Sequence, residues 1–180
     1  MKNPIVLRLN EDLYSQIGNS GISLELSNIS GLAYLPYRKL EAYPVKGIEN
    51  TRLTIRKSFD NNNSLSLSIG DETFQMYDIN WDGANPIFTK ETSILWGGVG
   101  YKYTATQFNP IKNLSPYSEI ILGLSKYGAL SKCSLGFIYN SDDLFTFSVG
   151  IEGMMQTYQM QSKIRAAGKI GLVYMLGIKF

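Results

Sequence analysis

From Ile170 to Phe180 the chain alternates almost perfectly, and it stops on an aromatic. Ile170, Leu172, Tyr174, Leu176, Ile178 and Phe180 share one face of an extended strand. Lys169, Gly171, Val173, Met175, Gly177 and Lys179 share the other, because strand side chains change sides at every residue. One face is wholly apolar and the other is small or cationic. A chain with such a terminal strand is held to an all-β plan in which each strand has two unlike faces.

The same pattern recurs upstream. Phe145, Phe147, Val149, Ile151 and Met155 oppose Thr146, Ser148, Gly150, Glu152 and Gln156. Cys133, Leu135, Phe137 and Tyr139 oppose Lys132, Ser134, Gly136 and Asn140, and the polar run 140–143 makes a turn between the two segments. Eight strands are expected, at 22–35, 51–59, 64–79, 92–104, 117–127, 130–140, 144–159 and 164–180. The apolar phase slips between Ile69 and Phe74, across Asp71-Glu72, which suggests a bulge or a turn. If it is a turn and Ile5–Leu9 is a strand, the count becomes ten. Residues 1–20 are expected to form an N-terminal extension or plug, and 21–180 the barrel domain. An even count puts both termini at one end, with turns 60–63 and 140–143 and the long connection 105–116. Segments 36–50, 80–91 and 160–163 go to the other end.

Composition narrows the function. A chain of 180 residues makes one domain, and it holds no apolar run long enough for a transmembrane helix, which needs about 18 residues or more. Any membrane role must therefore come through strands. The net charge of +2, without a basic block, points away from nucleic acid. There is no histidine, the commonest general base and metal ligand, and no nucleophile elbow, phosphate loop or dinucleotide fingerprint. No catalytic residue, metal site or cofactor is expected. Cys133 reads as an inert small hydrophobe, and Asp71-Glu72 and Asp142-Asp143 as solvated turns. Arg52, Arg56, Lys102, Glu119, Lys132 and Glu152 fall on the inward faces, where charges must pair or cost several kcal/mol each. Aromatics near strand ends, among them Tyr101, Phe108, Tyr117, Tyr139 and Tyr158, read as interfacial girdles.

Pro116-Tyr117-Ser118-Glu119, Gly150-Ile151-Glu152-Gly153, Lys169-Ile170-Gly171-Leu172 and the terminal Ile178-Lys179-Phe180 together resemble the C-terminal half of Bacteroidota-type outer-membrane barrels. The resemblance covers roughly residues 90–180 and lies within the small outer-membrane β-barrel proteins of Gram-negative bacteria. It implies a closed antiparallel up-and-down transmembrane β-barrel of eight strands in a lipid bilayer. It also implies that Tyr174, Leu176, Ile178 and Phe180 form the closing-strand signal read by barrel-insertion machinery. Outer-membrane location implies a signal peptide, expected to have been removed ahead of Met1. Enzymes built on such barrels use a histidine that this sequence lacks. The implied role is therefore structural or accessory, beside an outer-membrane protein partner. The alternative is a soluble lipocalin-like barrel binding a small apolar ligand, with its apolar faces turned inward. The direction of the even residues of Ile170–Phe180 separates the two.

Overall fold

The computed structural model describes residues 21–35, 50–78, 88–108, 111, 113–141, 144–160 and 162–180. Eight strands close into one antiparallel up-and-down barrel. They are β1 (Ile22–Leu35), β2 (Thr51–Ser58), β3 (Asn63–Asp78), β4 (Phe88–Thr104), β5 (Leu114–Ser125), β6 (Gly128–Ser141), β7 (Phe145–Met160) and β8 (Lys163–Lys179). β8 closes on β1, with Leu26 opposite Leu176, and Phe180 donates its N–H to the Ile22 carbonyl at 2.8 Å. The ten-strand count fails because β3 is unbroken. The expected plug, residues 1–20, lies outside the described residues.

Each strand's period-two pattern now acquires a direction. Leu26, Ile55, Leu67, Val99, Leu122, Leu135, Val149 and Tyr174, one from each strand, are all exposed on the outer wall. Their sequence neighbours Glu25, Thr54, Ser66, Ile121, Ser134 and Ser148 are buried in the lumen. The even residues of the terminal strand point outward, while Val173 and Met175 point in. An apolar exterior around a charged interior reverses the lipocalin arrangement, and the soluble ligand-binding alternative falls with it.

The slip at Asp71-Glu72 is neither a bulge nor a turn. β3 keeps one register with β4 from Asn63 to Asp78. What changes is the lumen: Ser64, Ser66 and Ser68 face its polar part, whereas Phe74 and Met76 face an apolar cluster with Ile29, Ile94, Trp96, Leu130 and Tyr158. The inward face thus goes from polar to apolar while the backbone runs straight on. The described irregularity lies in β1, between Gly31 and Ala33, where the register against β8 shifts.

Asp71 has a structural task. β2 starts lower than β1 and β3, and Asn50, at φ 65, begins it. The Asp71 carboxylate accepts the N–H groups of Asn50 (3.1 Å) and Thr51 (3.0 Å). Asn50 in turn accepts the Thr73 N–H on its side chain (2.9 Å) and the Ile29 N–H on its carbonyl (3.1 Å). Backbone donors left over where β2 begins are thereby satisfied, as burial requires.

At the rim that carries the C-terminus, β5 starts at Leu114, earlier than Pro116 suggests. The Pro116 carbonyl accepts Ala105 N–H at 2.9 Å, so its missing donor also faces β4, whose ladder ends at Thr104 opposite Tyr117. Proline is tolerated at such a ladder end. The connection after β4 is tied to its neighbours, since Asn140 donates its N–H to the Asn113 carbonyl at 2.9 Å. Phe59, Tyr101, Phe108, Tyr139, Phe145 and Phe180 are exposed around this rim. Tyr117 and Tyr158 are not girdle residues, because their parity turns them into the lumen.

Gly97 and Gly98 face opposite ways and should respond oppositely to substitution. A Cβ on Gly98 would lie 2.6 Å from the Leu122 carbonyl oxygen and 2.8 Å from Gly123 Cα, whereas one on Gly97 meets nothing nearer than 3.9 Å. Gly98→Ala is expected to lower stability by ~1–3 kcal/mol and Gly97→Ala to stay within ~0.5 kcal/mol of the parent. Urea unfolding in detergent micelles measures both. In the β2–β3 turn, Asn63's side-chain amide and the N–H groups of Asn62 and Asn63 hold the Asp60 carboxyl below its ordinary 3.8. A depressed acid stabilises the turn above its unfolded pKa, and the effect is lost as pH falls through the folded value. The difference in unfolding midpoint between the parent and Asp60→Ala should therefore shrink below about pH 4.

Candidate functional site

Among the described residues five cations and four carboxylates are buried in the lumen: Arg52, Arg56, Lys102, Lys132 and Lys169, with Glu25, Glu72, Glu119 and Glu152. Eight of them form a single line of alternating sign. Lys169 lies 2.6 Å from Glu72 Oε2, off the direction of a hydrogen bond and so a charge contact. Glu72 then meets Lys132, whose ammonium is 3.2 Å from Glu152. Glu152 accepts from Arg52 at 2.9 Å, and Arg52 lies 3.9 Å from Glu119. Glu119 accepts from Arg56 at 2.6 Å, and Arg56 donates to both Glu25 oxygens at 2.7 and 2.8 Å. Ser27 accepts Arg52 Nε (2.9 Å) and Ser134 donates to Glu152 (2.7 Å), filling the side positions. The ladder begins at the Asn50 node, where Lys169 donates to Asn50 Oδ1 at 2.6 Å, and ends near the rim with the C-terminus.

All six lumen charges expected from sequence are buried there. Five join the ladder. Lys102 is opposite Glu119 in the β4–β5 register, but its ammonium sits over the Tyr117 ring, 4.4 Å from the centroid. Glu25, Glu72 and Lys169 are the ladder members that the sequence reading left out. Each shares its parity with known lumen residues: Glu25 with Ser23 and Ser27, Glu72 with Ser68 and Gly70, Lys169 with Gly171. Counting parity through the phase change would have found Glu72. Asp71-Glu72 is accordingly no solvated turn, and Asp142-Asp143 lies outside the described residues.

Tyr174, Leu176, Ile178 and Phe180 stand together on the exposed outer face of β8. Cys133 is exposed on the outer wall of β6. Each ladder carboxylate is engaged by at least one cation, so the arrangement neutralises charge and braces strands. It offers no exposed acid–base pair among the described residues.

No protein-family model matches the chain, and no curated protein matches it. Solved structures do resemble it. The N-terminal β-barrel domain of Pseudomonas aeruginosa OprF aligns over 88% of this chain and 97% of that one, at 14% identity and a TM-score of 0.49. The Yersinia pestis outer membrane protein Ail, in a phospholipid bilayer nanodisc, aligns over 86% and 97%, at 12% identity and a TM-score of 0.39. Outer membrane protein AlkL, in lipid bilayers, aligns over 89% and 88%, at 11% identity and a TM-score of 0.34. The chain's own strand pairing identifies it as a closed eight-stranded up-and-down β-barrel.

An inner ladder member should matter more than its end. Glu152 meets Arg52, Lys132 and Ser134, whereas Glu25 meets only Arg56 among the ladder cations. Glu152→Gln is expected to cost ~3–5 kcal/mol, the scale for leaving buried charge unpaired. Glu25→Gln should cost clearly less. Unfolding midpoints of the two variants in one detergent give the comparison.

Proposed function

We propose that the chain is an integral outer-membrane β-barrel, a non-enzymatic structural or accessory subunit of a larger outer-membrane assembly. The observation that carries this reading is the continuous apolar outer wall. Exposed apolar side chains run along every strand, and on β8 they extend from Ile170 to Phe180. Ten steps of ~3.4 Å, tilted by about 45°, give a band ~24 Å tall, close to the ~25 Å apolar belt of membrane barrels. So large an apolar surface is unusual on a water-facing monomer. The aromatic rim at the C-terminal end fits an interfacial girdle. The Bacteroidota-type residue pattern supports a Gram-negative setting. On this reading Tyr174, Leu176, Ile178 and Phe180 are the surface that barrel-insertion machinery takes up. The paired lumen carboxylates and the lack of histidine favour a role without catalysis.

The refolded protein should need detergent or vesicles to stay in solution. Unboiled, it should migrate differently on a denaturing gel from the boiled chain. A monomer that stays soluble without detergent, with one mobility, overturns the membrane reading. Cross-linking in native outer membranes should join the barrel to a second protein; recovery as a lone monomer overturns the accessory role.

A further inference from the structure

Where β2 begins, three buried side chains from separate parts of the chain meet at atoms able to react. The Lys169 ammonium donates to Asn50 Oδ1 at 2.6 Å. Asn50 Cγ is one ~1.2 Å carbonyl bond further on, so the nitrogen lies within ~4 Å of it, near the ~3–3.5 Å of atoms poised for attack. The same ammonium is 2.6 Å from Glu72 Oε2, an oxygen with no hydrogen-bond donor of its own. The Thr73 N–H donates to Asn50 Oδ1 at 2.9 Å, so charge growing on that oxygen already meets a backbone donor. The Phe74 ring centroid stands 5.3 Å from the ammonium, on the side of the apolar cluster. A nucleophile, a proton acceptor, an amide carbon and an oxyanion donor are thus assembled out of water.

Hydrogen bonding alone does not account for an amide at position 50. Asn50 sits at φ 65, a region that aspartate tolerates as asparagine does. An aspartate would accept from the same two donors and would also neutralise a cation. The lumen lacks that charge, because five cations face four carboxylates among the described residues. The chain instead sets a neutral amide against Lys169. Joining the two makes Lys169 neutral and leaves Arg52, Arg56, Lys102 and Lys132 with four carboxylates, in balance.

We infer that this node forms a self-catalysed isopeptide bond between Lys169 Nζ and Asn50 Cγ, with Glu72 carrying the protons. Glu72 takes a proton from the ammonium, and the freed amine attacks Cγ. The attacking nitrogen's next proton passes through Glu72 to Asn50 Nδ2, and the Cγ–Nδ2 bond breaks. One ammonium and one primary amide become one secondary amide and one free ammonium ion. Glu72 is a carboxylate before and after. The ion pair with Lys169 is the state before reaction, and the ladder then ends at Glu72 with Lys132. The bond joins residues 119 apart in sequence. Since β1 pairs with both β2 and β8, it ties the last strand to the start of the second and holds the barrel shut across its seam. It occurs once within the chain and turns over no substrate.

The test follows the intact mass of the full chain, first denatured and never folded, then refolded in detergent. The denatured chain should have its sequence mass, and the refolded chain should be lighter by one ammonia. Trypsin should then release segments 47–52 and 166–179 as one branched peptide, uncut at Lys169. Lys169→Arg keeps the charge and should fold, by its unboiled gel mobility, at full sequence mass. Glu72→Gln should show folded mobility and still hold its full mass when the parent has reacted completely. A folded parent at sequence mass overturns the bond. So does an ammonia loss that persists in Lys169→Arg, which would mark Asn50 cyclising onto its own backbone. A folded Glu72→Gln that reacts as fast as the parent overturns the role of Glu72. Parent and Lys169→Arg decide the bond even where Glu72→Gln does not fold.

Discussion

The interior depends on alternation of charge. Closing eight strands leaves a lumen about as wide as the side chains that fill it, so ions placed there lose most of their water. In the ladder Glu72, Glu152 and Glu119 each stand between two cations, and Lys132, Arg52 and Arg56 each between two carboxylates. Backbone hydrogen bonds join each strand only to its neighbours. The ladder joins β3 to β6, β7 to β2 and β2 to β5, strands that do not pair. It therefore braces the barrel across its section, which the sheet cannot do for itself. Loss of one inner charge would release a brace and leave each of its two partners with one opposite charge fewer.

A second device fills what the charges leave. The Tyr117 side chain, from β5, lies against Gly136 and Gly150 on the two following strands, where a Cβ would come within 3.0 Å of its ring and 2.8 Å of its hydroxyl. Lys102 covers the ring from the lumen side. Trp96 repeats the scheme: Gly123 lies beneath it, where a Cβ would come within 3.2 Å of the ring, and the Lys132 ammonium is 4.3 Å from the ring centroid. In each case glycine provides the floor, the aromatic the bulk, and lysine a cation–π contact. Through Lys132 the second stack also connects to the ladder. Packing and electrostatics are thus shared among the same few residues.

Much of this was legible because period-two alternation survives in every strand. It yielded eight strands as the main count, the two unlike faces of Ile170–Phe180 and six of the nine buried lumen charges among the described residues. The ten-strand alternative and the direction of the apolar face needed the structure. It failed where two signals overlapped. At Asp71-Glu72 the lumen changes from polar to apolar, so hydrophobicity changed phase while the backbone did not. An acidic pair at such a point looks like a turn, although Asp71 caps the start of β2 and Glu72 lies in the ladder. Tyr117 and Tyr158 were misplaced for a related reason. Aromatics near strand ends suit a girdle by composition, but parity sends these two inward. Lys102 showed a further limit: sequence could give its compartment and not its partner, because the choice between Glu119 and Tyr117 depends on side-chain reach.

Parity also separates residues that hold the barrel up from residues free to do something else. An inward position answers to the ladder, the ring stacks or the apolar cluster, and its identity is largely set by neighbours. An outward position answers mainly to its surroundings, where almost any apolar side chain would satisfy a bilayer. Departures from apolar bulk on the outer wall are consequently the more informative ones. Gly98 and Gly97 are adjacent in sequence, yet the first follows from the close approach of β5 and the second from nothing in the fold. A residue type that the scaffold does not require, placed where it shapes the surface, is where the search for function in a filled barrel should begin.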